Sequence, residues 1–353
     1  MIKARKSVIN IVAHDLGERT KTHRFQGDNK GRLWFHPDNA TTTKKVTTPF
    51  NVAPKNFMDE LREALKAKNQ WYGEPDFRVF SVCGPMAQGD QCLRLVNRGV
   101  LEPFTVPGYL ALNDGLAGLL GSIVGGVAKG HMGAIRIFVL GSGLGTADRH
   151  WALDDQFREY LVYGDMEAHF TVHGCDNVCG CNLEGCAEAG VRESALGDLI
   201  VKHGVALEQL KNPDKEKLNI GRDLEFRIAQ PGCTFKPQLF DALNEWQNRL
   251  AVVVSNVLGG TTIGGDKLRK PGLIVIGGGL GRFVKPKIVY DRVLALSKGI
   301  PQNGANFEVR VEDKLGNTAN CVGVAAAGLA KFLGIKIDEI EFLNSPPLNS
   351  GKK

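Results

Sequence analysis

The amino-acid sequence predicts an α/β protein with two domains, and three observations support this. The chain has 353 residues, which is too long for one small core and suits two domains of ordinary size. Short apolar, β-branched segments that end in glycine-containing turns recur along it, as is typical of buried strands. Segments with helical spacing of apolar residues lie between them. The combination indicates mixed sheets flanked by helices.

The composition is that of a soluble globular protein and argues against two classes of function. Charged residues make up 23% and hydrophobic residues 43%, whereas the 43 glycines are well above average and imply many tight turns and close backbone approaches to ligands. The aromatic fraction of 7% argues against a carbohydrate-binding module built on stacked rings. The net charge of +6 is modest for this length and dispersed except at the termini, so it favours phosphorylated ligands over nucleic acid.

Targeting signals are not evident in the sequence. It has no run of 18 apolar residues, and its N-terminus lacks the apolar region of a signal peptide. We therefore expect a cytoplasmic protein that does not bind membranes. Eight cysteines in such a chain indicate a metal site rather than disulfides.

The first half of the chain reads as strands with one helix. Residues 7–13 (SVINIVA) predict a strand that delivers Asp15 and Gly17 to a turn. Further predicted elements are strands at 22–26 (THRFQ) and 32–37 (RLWFHP), an amphipathic helix at 57–68 (FMDELREALKAK), and a strand at 77–82 (FRVFSV) that runs into Gly84-Pro85.

A helix rich in small residues is predicted to start at Asn113-Asp114. These two residues either cap the helix, which is the commoner use of such side chains, or serve a ligand at the helix N-terminus.

The second half of the chain contains two strands that each lead into glycines. Residues 134–140 (AIRIFVL) precede Gly141, Ser142 and Gly143, and residues 273–276 (LIVI) precede Gly277, Gly278 and Gly279. Residues 190–250 are largely helical by pattern, a closing helix covers 322–330, and the segment from Asn344 is expected to be a disordered tail.

The most specific feature is a cysteine-rich segment at residues 167–188, EAHFTVHGCDNVCGCNLEGCAE. It gathers four of the eight cysteines and two of the eight histidines. Cys179, Cys181 and Cys186 form C-x-C-x4-C, and His169 stands ten residues before the first of them. Zn²⁺ takes four such nitrogen and sulfur ligands tetrahedrally. The alternatives are a disulfide or a plain cysteine-rich loop, and His173 and Cys175 are spare ligands.

These motifs, in this order, resemble the ROK family (repressors, open reading frames and sugar kinases) of the actin-like superfamily. The family's zinc motif is G-H followed by C-G-C-G-x-x-G-C-x-E, and the residues from His169 to Glu188 are similar to it. Asn113-Asp114 resembles the family's E-N-D segment. The resemblance spans roughly residues 7 to 333.

The resemblance implies a role for each matching residue. His169, Cys179, Cys181 and Cys186 would hold a structural zinc, and Asp114 would be the general base. The residues that would contact the sugar are Asn113, Glu167, His169 and Glu188. The residues that would bind ATP are Asp15, Gly17, Thr20, Gly141, Ser142, Gly143, Gly277, Gly278 and Gly279.

Three positions depart from the family pattern. The first phosphate loop, D-x-G-G-T-K in the family, has Glu18-Arg19 in place of its second glycine. Leu112 stands where the family has glutamate, and Met166 stands at another glutamate that binds the sugar. Loss of a charged acceptor for a hydroxyl group should alter which sugar fits.

The resemblance implies two actin-like (ribonuclease H-like) domains with a cleft between them, at residues 1–120 and 121–335, followed by a tail at 336–353. It implies an ATP-dependent kinase for a hexose or N-acetylhexosamine that uses Mg²⁺ and zinc and forms a homodimer. The alternative is a catalytically impaired sugar sensor. We expect no binding to DNA, because repressor relatives carry a winged helix and only 14 residues precede Asp15.

Overall fold

A computed structural model describes residues 7–16, 19–37, 46–47, 75–82, 86–87, 91–92, 109–153, 159–166, 168–172, 178–179, 181–258, 272–296 and 307–347. The chain divides into two compact units. Unit 1 comprises residues 1–131 and 314–353, and unit 2 comprises residues 132–313. The predicted helix at 57–68 and the predicted turn at Gly84-Pro85 lie outside the described residues.

The helices and strands follow one another in this order. The first part of unit 1 contains β1 (Ile9–Leu16), β2 (Arg19–Gly27), β3 (Arg32–Phe35), β4 (Val46–Thr47), β5 (Phe77–Val82), β6 (Met86–Ala87), β7 (Gln91–Cys92), β8 (Tyr109–Asn113) and α1 (Asp114–Val124). Unit 2 contains β9 (Ile135–Leu140), β10 (Leu144–Leu153), β11 (Glu159–Met166), α2 (Ala187–Val191), α3 (Glu193–Lys202), α4 (Leu207–Leu210), α5 (Ile220–Ala229), α6 (Lys236–Leu258), β12 (Leu273–Gly277), α7 (Pro286–Leu296) and β13 (Glu308–Val311). Unit 1 resumes with α8 (Ala319–Leu333) and β14 (Glu341–Leu343).

Unit 1 is built on a mixed sheet with the strand order β14-β3-β2-β1-β5-β8, and β4 also pairs with β2. Strands β1, β2 and β3 are antiparallel neighbours, whereas β5 and β8 continue the sheet parallel to β1. Alternate apolar residues of β1, including Ile9, Ile11 and Ala13, are buried and share a core with α8. The period of two fixes which side chains of the strand enter that core.

Unit 2 repeats the same topology. Its sheet has the order β11-β10-β9-β12-β13, in which β9, β10 and β11 are antiparallel and β12 and β13 run parallel to β9. All five residues of β12 are buried, as the apolar sequence predicts for a central strand. Its core centres on Trp246 of α6, which is fully buried and donates a hydrogen bond from Nε1 to the carbonyl of Val191 at 2.9 Å.

The predicted domain boundaries lie after residues 120 and 335, whereas the two units meet after residues 131 and 313. The predicted second domain, 121–335, contains α8, yet α8 packs against α1, β1 and β5 of unit 1. The predicted tail also contains structure, because β14 pairs in parallel with β3. Sequence periodicity identifies a helix or strand, but only packing assigns it to a core. Among the helices that the structure describes, none is both long and apolar enough to cross a membrane.

Candidate active site and metal centre

The four predicted metal ligands lie together in unit 2. His169 Nδ1 is 3.4 Å from Cys179 Sγ and 3.5 Å from Cys186 Sγ. Cys186 Sγ is 3.4 Å from Cys179 Sγ and 3.7 Å from Cys181 Sγ. All four donor atoms fall within 4.8 Å of one another. The arrangement therefore offers one nitrogen and three sulfurs to a single ion.

These separations fit tetrahedral coordination of zinc. Bonds of about 2.3 Å to sulfur and about 2.05 Å to nitrogen at the tetrahedral angle place two sulfurs about 3.8 Å apart, and a sulfur about 3.6 Å from the nitrogen. Burial raises the pKa of Cys186 to about 12 and also raises the pKa of Cys179. A cation among the sulfurs would oppose this effect, because it stabilises the thiolate form.

Local backbone pairing holds the ligands in place. Thr171 and Cys186 form an isolated β-bridge, and Val172 donates to the carbonyl of Gly185 at 2.8 Å. This pairing brings the segment that carries His169 alongside the last cysteine. The return turn uses two residues with positive φ, Asn182 at 63° and Gly185 at 67°, a conformation that short polar residues and glycine tolerate.

Glu188 connects the metal cluster to the glycine-rich segment between β9 and β10. The Nε2 atom of His169 lies 3.9 Å from Glu188 Oε2. That same carboxylate oxygen accepts a hydrogen bond from the backbone amide of Leu144 at 3.2 Å. Glu188 belongs to α2 and is 3% exposed, so its carboxylate is enclosed by neighbouring residues. The sequence predicted Glu188 as a sugar ligand but gave no sign of its contact with Leu144.

We call residues 141–143, which join β9 and β10, the glycine turn. The hydrogen bond that the amide of Leu144 donates to Glu188 holds the end of the turn. Two backbone hydrogen bonds hold its start. The amide of Glu193 donates to the carbonyl of Gly141 at 2.8 Å, and the amide of Leu280 donates to the carbonyl of Leu140 at 3.1 Å. Ser142 at the tip is exposed.

The second glycine-rich segment packs against the end of β9. Gly278 has a φ of 82°, and a Cβ at this position would collide with the backbone oxygen of Leu140. Glycine is therefore required both by conformation and by space. Gly277 ends β12, and Gly279 has open space around its Cα. The two predicted ATP-binding glycine segments are thus neighbours within unit 2.

Asp15, the predicted phosphate-loop residue, is the centre of a polar cluster in unit 1. Its Oδ1 accepts hydrogen bonds from Ser81 Oγ at 2.7 Å and Asn320 Nδ2 at 3.1 Å. Its Oδ2 accepts one from Lys21 Nζ at 3.2 Å. Burial opposes the charge on Asp15, but Lys21 and the two hydrogen bonds outweigh it and lower the pKa. The carboxylate is therefore held ionised.

The first loop keeps its strand register despite the two charged residues. Leu16 pairs with Thr20 and Asp15 pairs with Lys21 across the β1–β2 hairpin. Arg19 is already in β2, where it pairs with Thr47. Gly17 and Glu18 lie outside the described residues. The pairing of β1 with β2 thus extends up to Leu16 and Thr20, on either side of Gly17 and Glu18.

Asn113 and Asp114 form the N-terminus of α1. Asn113 Oδ1 accepts hydrogen bonds from the amides of Gly115 at 2.7 Å and Leu116 at 3.3 Å. Asp114 Oδ1 also accepts from Gly115, at 2.9 Å. The capping interpretation is therefore realised. It is compatible with a role in ligand binding, because capping fixes the rotamers of both side chains at the end of β8.

Comparison with known proteins identifies the fold. No protein-family model matches the chain, and no curated protein matches it in sequence. A ROK family glucokinase from Streptomyces griseus, solved with glucose and AMPPNP, is 19% identical and has a TM-score of 0.62, covering 90% of this chain and 98% of that one. A ROK family protein from Streptococcus pneumoniae, solved with sucrose, is 14% identical with a TM-score of 0.59, covering 92% and 99%. The chain has the fold of the ROK family sugar kinases.

A regulator shares this ROK fold. A ROK family transcriptional regulator, a homologue of the E. coli Mlc protein, is 13% identical with a TM-score of 0.57, covering 94% of this chain and 79% of that one. The fold is therefore common to kinases and regulators, so the activity of this chain depends on its site residues rather than on the fold.

The site residues that the sequence predicts are divided between the two units. Unit 1 carries Asp15, Thr20, Asn113 and Asp114, and unit 2 carries Gly141, Ser142, Gly143, His169, Cys179, Cys181, Cys186, Glu188, Gly277, Gly278 and Gly279. Glu167 lies outside the described residues.

Sequence reasoning missed three contributors to the site. Ser81 and Asn320 bind Asp15, and Glu193 binds the glycine turn. A polar residue inside the apolar strand at 77–82 is a signal that could have pointed to Ser81. Neither Asn320 nor Glu193 carries such a signal, because their partners are remote in sequence.

Proposed function

We propose that the chain is an ATP-dependent sugar kinase of the ROK family with a structural zinc ion, and that it phosphorylates a hexose or an N-acetylhexosamine. The observation that carries the proposal is the connection from the cluster at His169 through Glu188 to the amide of Leu144. Through this connection the metal-binding residues contact a predicted sugar ligand, and that ligand contacts the residue next to a predicted phosphate-binding turn. A protein in which zinc only stabilises the fold would not need these contacts between the metal-binding residues and the glycine turn.

Zinc is the metal that suits the donor set. Three thiolates and one imidazole are a known structural combination for Zn²⁺, and the separations match its bond lengths. The role we assign to zinc is to fix the segment that carries His169 and Glu188. Because His169 presents Nδ1 to the sulfurs, its Nε2 would be the atom that meets a sugar hydroxyl.

Asp114 is the proton acceptor in the proposed reaction. Its carboxylate takes the proton of a sugar hydroxyl while the oxygen forms a bond to the γ-phosphorus of ATP, and the bond from that phosphorus to the leaving ADP oxygen breaks. Asn113, Glu167, His169 and Glu188 orient the sugar. The rigid start of α1 keeps Asp114 in one rotamer, which lowers the entropic cost of reaching the reactive geometry.

Asp15 and the glycine segments form the proposed nucleotide part of the site. Asp15 is the residue of unit 1 that would hold Mg²⁺, because carboxylate oxygens are ligands that this ion prefers. The ion would replace Lys21 Nζ at Oδ2, whereas Ser81 and Asn320 hold Oδ1. When bound, Mg²⁺ would neutralise charge on the phosphates. The glycine turn supplies backbone amides and the Ser142 hydroxyl to the same phosphates. Gly277, Gly278 and Gly279 pack beneath the adenosine.

A phosphorylation assay with a panel of sugars tests the proposal. The purified chain is incubated with ATP, Mg²⁺ and individual hexoses or N-acetylhexosamines, and formation of ADP is coupled to NADH oxidation. We expect turnover with at least one sugar and none with sugar omitted. The Asp114→Asn variant serves as the control for a contaminating kinase. Absence of sugar-dependent ADP formation across the panel would contradict the proposal.

A catalytically impaired sugar sensor is the second candidate. Two observations favour it: the charged residues Glu18-Arg19 in the first loop and the regulator that shares the fold. Glu18 would repel phosphate, and Lys21 is already engaged by Asp15. The candidates separate in a calorimetric titration. Binding of sugar without binding of ATP at millimolar concentration, with Mg²⁺ and sugar present, would identify the sensor.

The proposed partners are a monosaccharide and ATP, and the proposed assembly is a homodimer that does not bind DNA. Sedimentation equilibrium of the purified chain would test the assembly directly.

A further inference from the structure

The glycine turn is held on both sides by the two consecutive helices α2 and α3. On its C-terminal side, the carboxylate of Glu188 accepts the amide of Leu144. On its N-terminal side, the amide of Glu193 donates to the carbonyl of Gly141. The two glutamates are five residues apart in the sequence. One short segment therefore grips both ends of the turn, while Ser142 at its tip remains exposed.

The same segment is anchored at its own two ends. Cys186, a proposed metal ligand, is the residue immediately before α2. At the other end, Glu193 Oε1 accepts a hydrogen bond from the amide of Gly221 at 2.9 Å. Gly221 is in the first turn of α5, where backbone amides have no partner within the helix. Glu193 therefore joins the glycine turn to the start of α5 through its backbone and its side chain.

We propose that Glu188 and Glu193 are positioning residues that clamp the glycine turn and thereby set the affinity for the nucleotide. Glu188 then has a second task besides contacting the sugar. The inference rests on the proposed function, because it takes the glycine turn as a phosphate-binding loop. Its physical basis is that a turn held at both ends loses less conformational entropy when its amides bind a phosphate.

The clamp at Gly141 can be removed without changing the helix. Glu193 is the first residue of α3, and the residue before it, Arg192, is extended with a φ of −67° and a ψ of 168°. Proline is favoured at the first helical position, and the extended Arg192 suits a following proline. Glu193→Pro therefore deletes the amide that binds Gly141 and the side chain that binds Gly221. The ring Cδ of the proline also takes the place of the amide hydrogen, so the carbonyl of Gly141 has to move away. Glu193→Ala deletes only the side chain and is the matched control.

The experiment compares nucleotide and sugar affinities of the two variants. Titration calorimetry with a non-hydrolysable ATP analogue, in the presence of Mg²⁺ and the preferred sugar, should give a higher Kd for Glu193→Pro than for Glu193→Ala. The increase should be at least about threefold to tenfold, because one net hydrogen bond is lost and the turn is displaced as well. The Kd for the sugar alone should be the same in both. Equal nucleotide affinities in the two variants, with equal melting temperatures, would overturn the clamp.

A second pair of variants tests the other end of the turn. Glu188→Gln keeps an oxygen that accepts the amide of Leu144, whereas Glu188→Ala removes it. Hydrogen exchange at the Leu144 amide should be faster in Glu188→Ala than in Glu188→Gln, with or without nucleotide. Equal exchange rates would overturn the role of Glu188. If the wild-type chain binds no nucleotide, the proposed function fails and so does the effect on affinity, while the exchange measurement still decides whether Glu188 holds the turn.

Discussion

Individual side chains at the site serve both the fold and the proposed chemistry. Asn113 caps α1 through its oxygen, Glu188 receives a backbone amide, and His169 presents one ring nitrogen to the metal ligands and the other to Glu188. Each contact fixes a rotamer that a ligand would otherwise have to select. Replacing one of these residues is therefore expected to change affinity and geometry together, and the more informative substitutions preserve shape.

Asp114→Asn is such a substitution. The amide keeps the size of the side chain and its acceptor oxygen for Gly115, but it cannot take up the proton of the sugar hydroxyl. We expect kcat to fall by about 10²- to 10⁴-fold, the usual contribution of a positioned base, while the Kd for the sugar is retained. The measurement is steady-state kinetics together with sugar titration.

The matched control is Asp241→Asn, which removes one exposed carboxylate from α6. Its kcat should be that of the wild type. A loss of only a few-fold in Asp114→Asn would assign Asp114 to capping alone.

Among the elements, the cysteine-rich segment depends most on its ligand. Its described residues form isolated bridges rather than a sheet, so no strand ladder holds the loop that carries Cys179 and Cys181. Elemental analysis should find about one zinc per chain. Cys181→Ser should lose most of the metal and weaken sugar binding, because serine is a poor ligand for Zn²⁺ and the segment carrying His169 would no longer be fixed.

Cys233→Ser is the control, since Cys233 is a half-buried free thiol outside the cluster. Its zinc content should equal that of the wild type. A zinc-free chain that folds and binds sugar normally would contradict the assignment of the metal.

Helices α1 and α8 pack so closely that a side chain would not fit at two of their glycine positions. A Cβ at Gly121 would collide with the carbonyl oxygen of Ala319, and a Cβ at Gly323 would collide with that of Ala117. Gly323→Ala should therefore lower the free energy of unfolding by about 1–3 kcal/mol, the usual cost of overpacking. Chemical denaturation followed by circular dichroism measures this difference.

Gly279→Ala provides the comparison, because an added methyl there meets no atom within 4 Å. Its stability should differ little from that of the wild type. Equal stability of the Gly323→Ala variant would mean that the two helices can separate without cost.

At the scale of the whole molecule, a buried histidine should make stability depend on pH. His23 is 4% exposed and packs beside the rings of Phe25 and Phe35. Burial and the charge of Lys21 lower its pKa from 6.5 to about 4, although Asp15 acts in the opposite direction. Between these two pH values the unfolded chain binds a proton that the folded chain excludes. Stability from this group is therefore complete above pH 6.5 and is lost as the pH falls towards 4.

The expected loss is about 3 kcal/mol over that interval, from about 1.4 kcal/mol per pKa unit. His23→Phe should remove this part of the pH dependence, as measured by urea denaturation between pH 4 and pH 8. At pH 8 both states of the wild type carry a neutral histidine, so the difference between wild type and variant at that pH contains no contribution from protonation of His23. An unchanged slope in the variant would show that other groups cause the acid sensitivity.

The amino-acid sequence is sufficient to predict the α/β class, the strands β1, β5, β9 and β12, the start of α1 at Asp114, and the four members of the His169 cluster. These features are local, because the period of a strand, a helix cap and a C-x-C-x4-C spacing are all complete within about 20 residues. Within such a short segment, the order of residue types restricts the backbone conformation enough to predict the local structure.

Contacts between remote parts of the chain are visible in the folded structure and could not be predicted from the sequence. Asn320 binds Asp15 across 305 residues, Glu188 binds Leu144 across 44, and α8 joins the core of unit 1 rather than that of the unit preceding it. Such contacts follow from the order and register of strands and from which helix covers which face. The same polar side chain in the same local sequence would serve equally well as a surface residue, so its role exists only once the sheets and helices are assembled.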